Sequence, residues 1–452
     1  MHTMKSRLVL SLLLGLGLFS ACKKDDVAAP ETPAVSSDQI KDSVLAYSKD
    51  IYLWYEQIPS TFNPRTYEDP DKIMEALRQY SIEPGFSQPV DRWSFAFTKS
   101  EWDDVSSGIS GDFGLGVFFR TEGDLRVKMV EKDSPAGRAG IRRGWRITKI
   151  NGSSTITTGN SNFIVEAVFN SNSTSFTFQK PDNSTVDITL SRGQYREAAV
   201  HLDSVYSVNG KQVGYMVFNS FMGDTARVYS EFDRVFKRFA AANVMDVVVD
   251  LRYNGGGYVT VQERLANYLV NSSANGGLMM KQEFNNKYPQ YNTSTNFRKA
   301  GPLNASRLFF IVSNSTASAS ELLINNLQPY MEVKLVGPKN TYGKPVGYFP
   351  IPVGSYYIFP VSFRTTNKNG QGNYFNGIAV NATAPDGLDK DWGDVSEASL
   401  ASVLSYVGTG AFRTQEARAQ STEGARNNAQ AEAGNVILDR HYFKGTIDPR
   451  GL

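Results

Sequence analysis

The sequence contains few of the residues that several common chemistries require. Its 452 residues include one cysteine, Cys22, and three histidines. A single cysteine excludes a disulfide bond within one molecule. His2 and His441 lie near the ends of the chain, and His201 has no accompanying motif. A triad of serine, histidine and aspartate is therefore not expected.

The sequence also lacks an excess of charge of one sign. Lys and Arg total 47, Asp and Glu total 45, and no long run of like charges disturbs the balance. A nucleic-acid partner would require a basic face, so nucleic-acid binding is not expected.

The length predicts two or three domains, and nothing in the sequence indicates an oligomeric state.

The first residues have the pattern of a secretory leader. Lys5 and Arg7 precede an apolar stretch, 8–20, that is too short to span a bilayer as a mature helix. Residues 19–22, Phe-Ser-Ala-Cys, resemble a bacterial lipobox, in which the cysteine is acylated. We therefore predict a signal peptide and a lipid anchor at Cys22 that holds the protein at the bacterial cell envelope, on the outer membrane. A buried thiol is the alternative. Residues 23–26 resemble a surface-export signal or begin a solvated linker.

The patterns along the chain predict a mixed α/β protein of several domains. Apolar residues spaced by three and four predict a helix that contains Ile40 and ends before Pro59, and a second helix from Pro70. Alternating strands and helices after residue 203 predict a core with parallel sheet. The predicted units are a signal peptide (1–21), a tether (22–37), a helical N-terminal domain (38–106), a β-rich domain (107–194), an α/β core (195–410) and a polar tail of no assigned function (411–452).

Three details of the core follow from local patterns. Asn209-Gly210 predicts a hairpin turn. Apolar runs at 245–251 and 308–312 predict two buried strands. The asparagine-rich stretch 272–304 is interpreted as an insertion or a long loop.

A serine-rich segment follows the second apolar strand and opens a helix. Ser318 lies between two alanines at this junction, where unpaired helix-start amides bind an oxyanion and the helix dipole favours negative charge. Ser315 and Ser320 are interpreted as capping or packing residues, and Glu321 as a first-turn carboxylate that suits the dipole. A serine nucleophile needs a base.

Lysine is the base that the composition leaves available. Burial lowers the pKa of an amine enough for it to accept a proton. Lys344 lies one helix and one strand after Ser318, and its alternative role is that of an ordinary surface lysine in a turn.

Residues 250–257, Asp-Leu-Arg-Tyr-Asn-Gly-Gly-Gly, end the other buried strand. These glycines either turn amides toward a cleft or form a tight turn.

Together these segments resemble the C-terminal processing peptidases, the S41 serine peptidases, over 108–407. The resemblance implies an α/β core of the crotonase-like ββα type and a serine endopeptidase that needs no metal or cofactor. It implies Ser318 as nucleophile, Lys344 as base, and the amides of Gly256 and Ala319 as the oxyanion hole. Many members carry a glutamine four residues after the lysine. Tyr348 stands there in this chain, so the third catalytic residue stays open.

Residues 114–117, 134–141 and 144–152 resemble a circularly permuted PDZ domain. The resemblance implies that the amides of Leu115, Gly116 and Val117 form a nest for the C-terminal carboxylate of a polypeptide, which adds as a strand. A purely bracing role is the alternative.

We predict an endopeptidase that cleaves polypeptides near their C-termini outside the cytoplasm, or alternatively a peptide-binding scaffold with little or no activity. A lipase or esterase would need a Gly-x-Ser-x-Gly elbow, which Ser318 lacks.

Overall fold

A computed structural model describes residues 36–413, 437–438 and 445–448. The predicted signal peptide, Cys22 and most of the tether and tail lie outside the described residues. From Ser37 onward the described residues form one compact unit. Within the described ranges, no helix is both long and apolar enough to cross a membrane.

The N-terminal region contains the predicted helices but shares its apolar core with later residues. Its elements are α1 (Ser37–Ile51), α2 (Pro70–Leu77), β1 (Phe95–Thr98) and α3 (Lys99–Ser107). Helix α2 begins at Pro70, as predicted, because the side chain of Asp69 accepts a hydrogen bond from the amide of Lys72. Buried side chains of α1 and α2 pack in one cluster with Val346 and Ile358. This region therefore surrounds the candidate base segment instead of forming a separate core.

The β-rich module is an antiparallel sheet with its own apolar cluster. Its elements are β2 (Ile109–Ser110), β3 (Leu115–Thr121), β4 (Asp124–Val130), α4 (Pro135–Arg138), β5 (Arg146–Ile150), α5 (Ser161–Val165), β6 (Ser173–Gln179), β7 (Thr185–Ser191) and β8 (Tyr195–Arg196). Strands β3 to β7 pair in chain order. Strand β2 pairs with β8, so the two ends of the module meet where it joins the core.

The core alternates strands and helices, as predicted. Its elements are β9 (Val200–Val208), β10 (Lys211–Phe218), α6 (Thr225–Ala241), β11 (Asp246–Asp250), β12 (Gly256–Tyr258), α7 (Val259–Leu269), β13 (Leu278–Phe284), β14 (Thr293–Asn296), β15 (Arg307–Ile311), α8 (Ala319–Leu327), β16 (Glu332–Gly337), β17 (Val346–Gly347), β18 (Ile351–Val353), β19 (Tyr356–Phe359), β20 (Phe363–Asn367), β21 (Ala382–Thr383) and α9 (Ala398–Thr409). Two short strands follow, β22 (Ile437–Leu438) and β23 (Gly445–Ile447).

The main sheet has the order β21-β16-β15-β11-β10-β9, and all its strands except β9 run parallel. Asn209 and Gly210 have φ of 49° and 79°, as the tight turn between β9 and β10 requires. Asp250 at the end of β11 pairs with Ile311 at the end of β15. The glycine segment and the serine segment therefore leave the same edge of the sheet side by side. The mixed α/β class is confirmed.

Residues 272–304 contain a hairpin, so the long-loop interpretation was wrong. Strand β13 pairs antiparallel with β14 and with β20 in the sheet β14-β13-β20-β17. The sequence pattern conceals β13 because one of its inward positions is a polar residue. Gln282 is 2 % exposed, like its apolar neighbour Met280 at 0 %.

Candidate active site

Ser318 lies in a strained turn between β15 and α8. Its φ is 61° and its ψ is −113°, a conformation that non-glycine residues rarely adopt. The side chain is fully buried, and the carbonyl accepts the first bond of the helix from the amide of Leu322 at 2.7 Å. Buried strain in a strand–turn–helix segment is typical of a nucleophile that its surroundings hold in place.

Lys344 is buried, as a lysine base requires. It is 1 % exposed, and burial lowers the pKa of its amine well below the ordinary value, although Asp91 and Glu321 oppose the shift. The turn before it depends on Gly343, whose φ is 93°. A Cβ on Gly343 would come 2.3 Å from the carbonyl oxygen of Phe375. The surface-lysine alternative does not describe this residue.

Glu321 joins the serine turn to the lysine segment. Its Oε2 accepts hydrogen bonds from the amides of Ser318 at 2.8 Å and Lys344 at 2.9 Å. Its Oε1 accepts from the amide of Gly343 at 2.6 Å and the hydroxyl of Thr341 at 2.5 Å. Burial raises the pKa of Glu321, and these four donors oppose that shift. One carboxylate oxygen therefore bridges the backbone amides of Ser318 and Lys344.

From the sequence, Glu321 was expected only to suit the helix dipole in the first turn of α8. The signal that identifies more is the Ser-x-x-Glu spacing of a capping box, in which the glutamate side chain turns back to the Ser318 amide. Its further bonds to residues 341–344 have no local signal, because those residues lie 20 or more positions away.

Aromatic rings enclose the amine of Lys344. Its Nζ lies 3.7 Å from the ring centroid of Tyr348 and 5.8 Å from that of Trp93. Tyr348 is fully buried, and burial raises the pKa of its phenol well above the ordinary value. The face of Tyr348 thus forms a wall that keeps water from the amine. A catalytic role for its hydroxyl stays a prediction.

Asp91 is a buried carboxylate of the N-terminal region whose charge acts on Lys344. It accepts hydrogen bonds from the hydroxyls of Tyr52 at 2.7 Å and Ser94 at 2.6 Å and from the amide of Trp93 at 2.8 Å. Neither Asp91 nor Trp93 was predicted from the sequence, because no motif marks a residue about 250 positions before the base.

Asn254 ties the glycine segment to the serine turn. Its carbonyl accepts from the amide of Ala317 at 3.1 Å and the hydroxyl of Ser320 at 3.0 Å. Its side-chain oxygen accepts from the amide of Gly256 at 2.9 Å. The predicted oxyanion donor Gly256 is therefore engaged in this structure. Ala319 is the first residue of α8, where an amide has no acceptor within the helix.

A buried ion-pair network fixes the strand end that carries these glycines. Arg252 donates to Asp250 at 2.8 Å, Glu397 at 3.0 Å and Asp386 at 3.1 Å. Arg143 of the β-rich module also pairs with Asp386. Although burial opposes the shift, the two arginines lower the pKa of Asp386 to about 2. The Asp-Leu-Arg residues of the motif thus connect the core to the module.

The predicted peptide-binding residues begin a strand. Leu115, Gly116 and Val117 are the first residues of β3 and pair with β4. Their amides lie at the start of this strand, and their binding of a C-terminal carboxylate stays a prediction. The other edge of β3, opposite to β4, is paired with β22, because Val117 lies opposite Leu438. Cys22, the predicted lipidation site, lies outside the described residues.

Comparison with known proteins agrees with this fold. The peptidase family S41 model matches residues 212–383, and the peptidase S41 N-terminal domain model matches 39–95. A structure from Bacteroides fragilis assigned to the S41 proteases covers 81 % of this chain and 96 % of its own at TM-score 0.66 and 22 % identity. These matches define the class of protein, a chain built around a peptidase domain. The chain belongs to peptidase family S41.

Curated proteins with similar sequences are described as serine proteases. A protein of Staphylococcus aureus (strain COL) described as a CtpA-like serine protease is 29 % identical over 289 residues, which are 62 % of this chain and 53 % of that protein. Its counterpart in Staphylococcus saprophyticus is 26 % identical over 292 residues, covering 64 % of this chain and 56 % of that protein. The chain thus spans about half the length of the curated relatives it matches.

Proposed function

We propose that this protein is a serine endopeptidase in which Ser318 is the nucleophile and Lys344 the general base. The observation that carries the proposal is the shared acceptor, Oε2 of Glu321, which binds the amides of Ser318 at 2.8 Å and Lys344 at 2.9 Å. Both side chains are buried, and burial lowers the pKa of the lysine, which favours the neutral amine that can accept a proton.

The reaction follows from these roles. Lys344 takes the proton of Ser318 as the hydroxyl oxygen attacks the carbonyl carbon of the scissile peptide bond. The amide of Ala319 stabilises the resulting oxyanion, and Gly256 adds a second donor once its bond to Asn254 is released. The lysine then gives its proton to the leaving amine. Water hydrolyses the acyl-enzyme and regenerates Ser318.

We propose polypeptides, held near their C-termini, as the substrates. The edge of β3 is an antiparallel template to which an extended chain adds as a strand, with Leu115, Gly116 and Val117 at its start. This supports a peptide-binding, PDZ-like role for the β-rich module. With acylation at Cys22, the enzyme would act at the cell envelope, outside the cytoplasm.

A cleavage assay tests the proposal. The full chain without its leader is incubated with an internally quenched peptide library of defined C-termini. Ser318→Ala and Lys344→Ala should each reduce turnover by at least about 1000-fold. Ser315→Ala, in the same segment, is the matched control and should keep activity. Equal turnover in all four proteins would contradict the proposal.

The engaged amide of Gly256 favours a second candidate, a peptide-binding scaffold without activity. Its bond to Asn254 leaves the oxyanion hole one donor short in this arrangement. This candidate predicts peptide binding with no turnover above the Ser318→Ala background, which the same assay measures.

A further inference from the structure

Two strand edges that a polypeptide substrate would use are paired with the protein's own late residues. We call residues 437–438 and 445–448 the tail segment. Strand β22 of this segment pairs antiparallel with β3, with Ile437 opposite Phe118. Strand β23 pairs parallel with β12, with Gly445 opposite Gly256. One strand of the segment therefore lies against the module and the other against the glycine strand of the candidate active site.

The second pairing reaches the residues that enclose the base. Ile447 lies opposite Tyr258 and also bridges to Tyr348, whose ring covers the amine of Lys344. The amide of Asp448 donates to the carbonyl of Tyr348 at 3.1 Å. The tail segment thus runs between the glycine strand, which carries the proposed oxyanion donor Gly256, and the base segment, which carries Lys344. We call the space between these two segments the substrate cleft.

The side chain of Ile447 behaves as an anchor. It is 0 % exposed and belongs to the apolar cluster that contains Met222, Val346 and Tyr348. Gln282 donates to the carboxylate of Asp448 at 3.4 Å, which adds a polar contact after the anchor. A mostly apolar pocket with a few placed polar groups is typical of ligand subsites, and the surroundings of Ile447 and Asp448 have this character.

In the same arrangement, solvent does not reach the proposed catalytic residues Ser318 and Lys344. Ser318 is 0 % exposed and Lys344 is 1 % exposed. A polypeptide reaches them only if something moves. The strand that pairs with β12 and bridges to Tyr348 lies beside both the glycine segment and the base segment.

We propose that the tail segment is an intramolecular pseudosubstrate: it occupies the substrate strand positions on β3 and β12, and Ile447 fills a subsite that accepts an aliphatic, β-branched side chain. The inference rests on the proposed function for the identity of the cleft. It adds the direction of the bound strand, parallel to β12, and the chemical class of one substrate residue. Polypeptide substrates bind by displacing the tail segment.

Competition between the tail segment and an added peptide changes the apparent Kd of that peptide. If the tail segment fills the groove in about 99 % of molecules, the apparent Kd of an added peptide is about 100-fold weaker than that of the open groove. Ile447→Asp opens the groove, because a carboxylate does not enter an apolar site at low cost. Asp448→Pro opens it differently, because proline has no amide hydrogen to donate to Tyr348.

A binding measurement tests the proposal without any need for turnover. A fluorescein-labelled synthetic peptide of residues 436–448 is titrated into full chains that carry Ser318→Ala, and anisotropy gives the Kd. Adding Ile447→Asp or Asp448→Pro should tighten binding by at least about tenfold. The matched control is Ile82→Asp, since Ile82 is 44 % exposed and lies in the N-terminal region.

Each outcome decides the inference. Equal Kd values in the parent, both opened variants and the control would overturn it, and circular dichroism on each protein verifies folding. In chains that keep Ser318, the opened variants should also cleave the peptide library about tenfold faster. If no protein cleaves but the opened variants bind more tightly, the proposed function fails while the pseudosubstrate stands.

Discussion

Replacing Glu321 by glutamine removes one acceptor at the centre of the candidate active site. The carboxylate binds four donors, two on each oxygen. Glutamine keeps the size but turns an NH2 group toward two of them. In the best orientation this group faces Thr341, whose hydroxyl can reverse and accept, and the amide of Gly343 alone loses its acceptor.

The expected loss of stability follows from the one amide that loses its acceptor. One buried amide without an acceptor costs about 1–3 kcal/mol, so the free energy of unfolding should fall by about 2 kcal/mol. The lysine segment also loses its fixed position against the serine turn. A displacement of about 1 Å in a catalytic group costs about 100-fold in rate, so kcat should fall by about 10- to 100-fold with little change in KM.

Urea unfolding and turnover of the full chain measure both effects. Glu101→Gln is the matched control, because Glu101 holds the same position in a capping box with Thr98 at the exposed start of α3. The control should change the unfolding free energy by less than about 0.5 kcal/mol. If Glu321→Gln matched the control in both measurements, the carboxylate would not hold the two segments together.

Three further predictions concern pH and backbone geometry. Protonated Lys344 cannot accept a proton, so kcat/KM should fall as the pH drops through its lowered pKa, and a flat profile would contradict its role. Gly343→Ala should reduce kcat at least about tenfold because its Cβ would meet the carbonyl of Phe375. Gly370→Ala has a similar φ of 73° with open space around it, so an equal loss of kcat there would refute the steric argument. Burial lowers the pKa of His201 from 6.5 to about 4. The unfolded chain therefore takes up its proton first, and the unfolding free energy should fall by about 3 kcal/mol between these pH values. An unchanged pH dependence in His201→Phe would contradict this.

Local patterns predicted the elements whose burial repeats along the chain. Val228, Phe232 and Phe239 of α6 lie inward at the helical spacing read from the sequence. The hairpin at Asn209 follows from turn chemistry, which acts within four residues. Strand β13 was missed because a polar residue, Gln282, stands at one of its inward positions and interrupts the apolar pattern.

Residue types and short motifs identified the candidates for catalysis: a serine at a strand-to-helix junction, a lysine in a chain whose three histidines carry no catalytic motif, and a glycine run at a neighbouring strand end. Composition and short motifs determine these because they depend on residue type and local geometry alone. Only the tertiary structure decided what surrounds the pair. Glu321 binds both segments, Trp93 and Tyr348 exclude water from the amine, and Ile447 fills the cleft. The contacts of Trp93 with Lys344, of Glu321 with residues 341–344 and of Ile447 with Tyr348 join residues far apart in sequence, and such contacts depend on how the strands pair and pack.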